Sequence, residues 1–156
     1  MAINSALLAV GTLFLCAQLV AEPPSLRLIG HYSNQKTYLV SGDPHSEGYS
    51  LTLYRSGKTV VGEFCMATGI EVPCAPLAHA THKGSRLQFD ATIPVGTEIS
   101  NETGASGRQA YRRLTFKGSL SKGYVKGILT SKNGSVTAEV LRLRRIKDSH
   151  RERWNR

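Results

Sequence analysis

Acidic side chains are scarce in this chain. It has 11 Asp and Glu against 20 Lys and Arg, a formal net charge of +9 at pH 7. That balance disfavours a basic macromolecular target and favours an acidic one. Helical periodicity is missing as well. After residue 22 no stretch of helical length repeats its apolar residues every 3.6 positions, so helical bundles and alternating α/β folds lack support. Past the first segment no apolar run is long enough to cross a bilayer, which takes ~20 residues. There is no P-loop, zinc-protease motif or nucleophile elbow. The sequence therefore implies no cofactor.

Residues 1–21 contain no Lys, Arg, Asp or Glu. Their apolar runs, Ala6–Val10 and Leu13–Leu15, suit a secretory signal, whose apolar region spans ~7–15 residues. Ala21 offers a small residue for cleavage, and Glu22-Pro23-Pro24 would begin the mature chain extended. The alternatives are an uncleaved anchor or a buried apolar helix. The expected organisation is a signal peptide over 1–21, a β domain over 22–146 and a basic tail over 147–156. The expected location is the periplasm or the extracellular medium.

Of the three cysteines, Cys16 falls in the signal. Cys65 and Cys74 remain, and an even pair in an oxidising compartment implies a disulfide. Closing a loop of about ten residues would stabilise by roughly 2–3 kcal/mol in the chain-entropy model. Two free thiols, or half of a metal site, are the alternatives.

Period-two alternation dominates the rest. In Leu87–Ile93 and in Leu114–Leu120 apolar and polar residues alternate strictly, which predicts one buried and one wet face. Turn signals at Ser56-Gly57, Lys83–Ser85, Ser121–Gly123 and Lys132–Gly134 separate such runs. Leu26–Tyr32 and Lys36–Val40 add two more strands, and Pro94–Gln109 is expected to be a loop. The fold class is all-β: an antiparallel meander closing into an up-and-down barrel of about eight strands. Leu114, Phe116, Leu120, Val125, Leu129, Val136, Ala138 and Val140 are expected to line its interior. Gly62, Gly118 and Gly127 are expected to mark bends or bulges.

Gly30-His31-Tyr32-Ser33-Asn34 resembles the opening Gly-x-aromatic segment of the calycins, the avidin and lipocalin group. Ser56-Gly57 with Val60-Val61-Gly62-Glu63-Phe64 resembles their early hairpin. These motifs cover about a quarter of the chain, and Tyr32 stands where Trp is common. The resemblance implies a barrel closed by its first strand, and a ligand often held inside.

Ser41–Gly48 gathers Asp43, His45, Ser46 and Glu47, the residue types a hydrolase uses as base, nucleophile and orienting carboxylate. Gly, Asp, Pro and Ser are also what an ordinary turn requires. His79 and His82, with His31 or His45, could ligate a metal only if a turn made them converge. Asn101 and Asn133 open formal glycosylation sequons.

Residues 142–156 carry Arg142, Arg144, Arg145, Lys147, Arg151, Arg153 and Arg156 against Asp148 and Glu152, a net +5. With Trp154 as an aromatic anchor, this run can contact an anionic envelope surface; otherwise it is a solvated tail. An export signal argues against genomic DNA. The sequence thus points to a non-enzymatic exported module that binds a small apolar ligand or a protein. The alternatives are an inhibitor or immunity-type protein blocking an acidic enzyme, or a hydrolase using Asp43, His45 and Glu47.

Overall fold

The computed structural model describes residues 25–98, 107–133 and 135–147. The expected signal peptide, the sequon at Asn101 and the tail residues Arg151, Arg153, Trp154 and Arg156 lie outside the described residues.

The described chain is all strand and turn, with antiparallel pairing throughout. Its strands are β1 (Leu26–Ser33), β2 (Lys36–Val40), β3 (Asp43–Ser56), β4 (Thr59–Gly69) and β5 (Cys74–Pro76). They continue as β6 (Ala78–Lys83), β7 (Arg86–Glu98), β8 (Arg108–Leu120), β9 (Tyr124–Asn133) and β10 (Ser135–Ile146). The hydrogen-bonded order is β5-β4-β3-β1-β10-β9-β8-β7-β6, with β2 beside β3. The path starts on β5 and ends on β6, and only Leu77 separates those two strands in sequence. Its amide reaches back to the Gly62 carbonyl at 2.9 Å. The sheet therefore returns to the chain segment where it began. β1 sits between β3 and β10, joining the early strands to the last.

The hairpin turns follow from residue chemistry. Ser41-Gly42 and Gly57-Lys58 connect paired strands, and Ser41, Gly42 and Gly57 have positive φ of 53°, 93° and 58°. Left-handed turn residues match the right-handed twist of the strands they join.

One core fills the inner face. Phe64 on β4 packs tilted against Phe89 on β7, and Phe89 stacks on Phe116 of β8, with centroids 5.4 and 5.0 Å apart. Tyr32, Leu51, Leu53, Leu87, Val125, Leu129, Leu141 and Leu143 pack around them. Gly118 and Gly127 face each other across β8 and β9. They mark no break in register. A Cβ on either would meet the Phe116 ring, at 2.6 and 2.8 Å. These glycines make room for an aromatic ring, and the register shifts lie elsewhere, near Leu28–Gly30, Ala78–Thr81 and Pro94–Thr97.

Besides the strand count, which is ten rather than about eight, and the expected Pro94–Gln109 loop, whose two ends pair as extensions of β7 and β8, two expectations change. Leu114, Phe116, Leu120, Val125 and Leu129 are buried, but Val136, Ala138 and Val140 point outward, with Val136 68% and Val140 72% exposed. Leu141 and Leu143 set the phase of β10. Burying them at odd positions turns every even position to solvent. Secondly, Asp43–Gly48 is not a loop. It is the first half of β3, paired with β2 on one side and, from Ser46, with the end of β4 on the other. Those ladders satisfy its backbone groups, and the turn needs only Ser41-Gly42.

Candidate functional site

Above the aromatic stack the inner face changes character. β8 continues its inward phase from Phe116 through Leu114 to Arg112, and β9 runs from Leu129 to Ser131. β10 continues from Leu141 to Glu139 and Thr137, and β3 from Leu51 to Tyr49. A cavity of about 340 Å³ lies among Tyr49, Arg112, Leu114, Leu129, Ser131, Thr137, Ala138 and Glu139. Leu114 and Leu129 give it an apolar side, and Tyr49, Arg112, Ser131, Thr137 and Glu139 a polar one.

Tyr49 is held from both sides. Its ring stacks on Phe64 at 5.5 Å. Its amide donates to the Asn34 side-chain oxygen at 2.7 Å, and its carbonyl accepts from the Asn34 amide at 3.1 Å. Gly48, with φ of 102°, allows Asn34 to come this close; a Cβ there would lie 2.8 Å from the Asn34 oxygen. The Tyr49 hydroxyl donates to the Glu139 carboxylate, linking β3 to β10 where no ladder joins them. Burial, then that hydrogen bond and the Glu139 charge, push the Tyr49 hydroxyl up to about 12, while Arg112 pulls the other way. Tyr49 therefore stays a neutral donor at any physiological pH.

Arg112 projects into the same cavity, and its guanidinium lies 3.5 Å from the Met66 sulfur. Among the described residues no carboxylate lies within salt-bridge distance of it. A half-buried guanidinium without a carboxylate partner is suited to bind a carboxylate or phosphate bidentately.

The residues singled out from sequence are placed elsewhere. Asp43, His45 and Glu47 alternate along one face of β3, in the hairpin it forms with β2. No hydrogen bond joins them among the described residues; the His45 ring lies instead beside Tyr38 at 6.2 Å. The histidines are dispersed. His31 pairs with Thr52 at 2.8 Å, His82 with Arg55 at 3.2 Å and His79 with Asp90 at 3.1 Å. Cys65 and Cys74 are cross-strand partners on β4 and β5 and are joined by a disulfide. Glu63 lies beside them, but bridged sulfurs offer no thiolate to a metal. In the basic C-terminal run, Arg142 stacks over Tyr124, its guanidinium carbon 4.7 Å from the ring centroid. Arg144, Arg145 and Lys147 are exposed.

The sequence reading missed Tyr49, Arg112 and Glu139. Their signal was a polar residue in phase with buried ones: Arg112 with Leu114 and Phe116, and Glu139 with Leu141 and Leu143. Comparison with protein families, with curated proteins and with solved structures found no match.

Proposed function

We propose that this protein is a non-enzymatic binding module working outside the cytoplasm, and that it takes a small ligand carrying a carboxylate or phosphate beside an apolar portion. The observation that carries this reading is Arg112, turned into a cavity without a carboxylate partner among the described residues. The anionic group would sit on its guanidinium and away from the Glu139 carboxylate, which is already joined to the Tyr49 hydroxyl and could accept only from a donor elsewhere on the ligand. The apolar portion would lie on Leu114 and Leu129. The aromatic stack limits the depth of the site, so the ligand is held at the mouth of the sheet. The placement of β1 between β3 and β10 supports the calycin-like reading, in which the first strand closes a barrel. The Cys65–Cys74 disulfide fits an oxidising compartment. That supports export, as do the charge-free first 21 residues.

The test is a thermal-shift screen of short-chain carboxylates and phosphate esters, each beside its uncharged amide or alcohol. Ligand at a hundredfold excess over Kd should stabilise by ~2.7 kcal/mol. Arg112→Gln should remove the response to anions while leaving the melt of the free protein nearly unchanged. Equal responses to charged and uncharged members, or a response that survives Arg112→Gln, would defeat the reading. Mass analysis of exported material should find a start near Glu22.

A protein partner is the second reading, and the β2–β3 hairpin favours it. Tyr38, Leu39 and Val40 are exposed there, and Ile70 and Val72 are exposed at the neighbouring end of β4. Capture of one envelope protein, lost on Leu39→Asp, would shift the assignment to this hairpin.

A further inference from the structure

The outer face of β8, β9 and β10 has a composition the mouth site does not explain. These three strands contain nine Lys and Arg and a single carboxylate, Glu139, which points inward to Tyr49. Six of the cations, Arg113, Lys117, Lys126, Lys132, Arg142 and Arg144, stand exposed on the outer face. Arg113 lies directly opposite Lys132, and Lys126 directly opposite Arg142. Like charges directly opposed across strands destabilise a sheet. The nearest carboxylate on the adjoining strand, Asp90 on β7, is already engaged. The Thr115 hydroxyl donates to it at 2.7 Å and His79 lies at 3.1 Å.

Between the two like-charge pairs runs an aliphatic strip. Val140 pairs with Ile128, and Val136 and Ala138 continue along β10. All four are exposed. From Lys126 to Lys132 the strand advances six residues, or roughly 20 Å. The face therefore carries an apolar strip along β9 and β10 with a cation pair towards each end and Lys117 of β8 opposite Ile128. Tyr124 lies at one end, beneath Arg142.

We propose that this face docks on an anionic lipid surface. The cation pairs would neutralise headgroups, which offsets their mutual repulsion, and Ile128, Val136 and Val140 would enter the interface between headgroups and acyl chains. The aliphatic strip is what selects lipid over a soluble polyanion, since valine and isoleucine offer nothing to a sulfate or uronate chain. Arg142 and Arg144 belong to this face, so a contact with the anionic envelope would not need the tail beyond residue 147. The surface lies on the outside of the sheet and is independent of the mouth cavity.

The experiment is co-sedimentation of the full chain with vesicles of phosphatidylcholine alone, or of phosphatidylcholine with an equal share of phosphatidylglycerol. Binding should occur only to the anionic vesicles and weaken as salt is raised. Lys126→Gln and Lys132→Gln should each lower partitioning about fivefold. Val140→Ser should lower it as well, because it removes inserted apolar surface. Lys58→Gln, in the β3–β4 turn, should leave it within twofold. All four side chains are exposed, and unchanged circular dichroism and melting will show that the variants fold. Equal binding to neutral vesicles, or equal loss in Lys58→Gln, would overturn the proposal. So would concentration-dependent dimerisation abolished by Val140→Ser, which would give the strip to a second copy of the chain. Binding to soluble heparin that matches the vesicles and ignores Val140→Ser would overturn it in favour of an acidic polysaccharide.

Discussion

Below Leu51 and Leu129 the inner face of the sheet is filled. Phe64, Phe89 and Phe116 stack there, ringed by Leu53, Leu87, Val125 and Leu143. Above those leucines the same strands, keeping the same inward phase, present Tyr49, Arg112, Ser131 and Glu139 around open space. β10 belongs to both regions. Arg144–Ile146 pair with β1, whereas the upper part of the strand has β9 alone as its ladder partner. Across that gap the Tyr49–Glu139 hydrogen bond replaces a ladder. The filled half meets the cost of ordering the chain through apolar burial, and the upper half can then carry polar groups that contribute little to folding.

The comparison breaks most visibly at Phe116. Phe116→Ala should cost about 3–5 kcal/mol, because Gly118 and Gly127 cannot move in to fill the space the ring vacates. The urea midpoint should fall at unchanged slope. A loss below about 1 kcal/mol would show that the core is not centred on the stack. Next in size is the disulfide. Replacing both Cys65 and Cys74 by Ser should cost roughly 2–3 kcal/mol with the strand spectrum retained, read by urea unfolding.

Tyr49 sharpens the contrast from the other side. Tyr49→Phe should lower stability at pH 7 by no more than ~1 kcal/mol, since its hydrogen bond is accessible to water. The effect of pH distinguishes it better. The hydroxyl is raised from its ordinary 10.0 to about 12, so it stays protonated longer in the folded state than in the unfolded one. Its contribution is fully present below about pH 10 and is lost as pH rises toward 12. Wild type should therefore lose stability across that window faster than Tyr49→Phe. Parallel curves would mean that neither the burial of the hydroxyl nor its link to Glu139 persists in solution. The smallest effect belongs to the outer face. Val140→Thr should change stability by no more than about 0.5 kcal/mol, because the side chain is mostly exposed.

Much of this was legible in the sequence wherever a strand offers one apolar register only. Leu87, Phe89, Ala91 and Ile93 alternate with polar residues, and all four are buried as the alternation requires. β10 offers two registers. Val136, Ala138 and Val140 are apolar on the even positions, and Leu141 and Leu143 on the odd ones. Only packing against the rest of the core selects between them, and a single strand carries no record of it. Arg112 and Glu139 were obscured for a related reason: a charge on an apolar face counts locally as noise. It becomes a site only when a second strand brings another polar group to the same level. The Asp43–Gly48 segment misled because its residues suit a turn. Two neighbouring strands supply ladder partners that outweigh that preference. One end of the sheet's path is Cys74–Pro76, a strand too short to show any period.

That short strand also fixes where the molecule can come apart. Among the described residues a disulfide ties β5 to β4, on the side where the sheet returns to its own chain. Among the described residues, the side between Tyr49 and Glu139 has no such staple. If the sheet is pulled or heated, the disulfide should hold on one flank and opening should start on the other. Local opening would then pass directly through the mouth cavity, so an occupant of that cavity would act as a clasp.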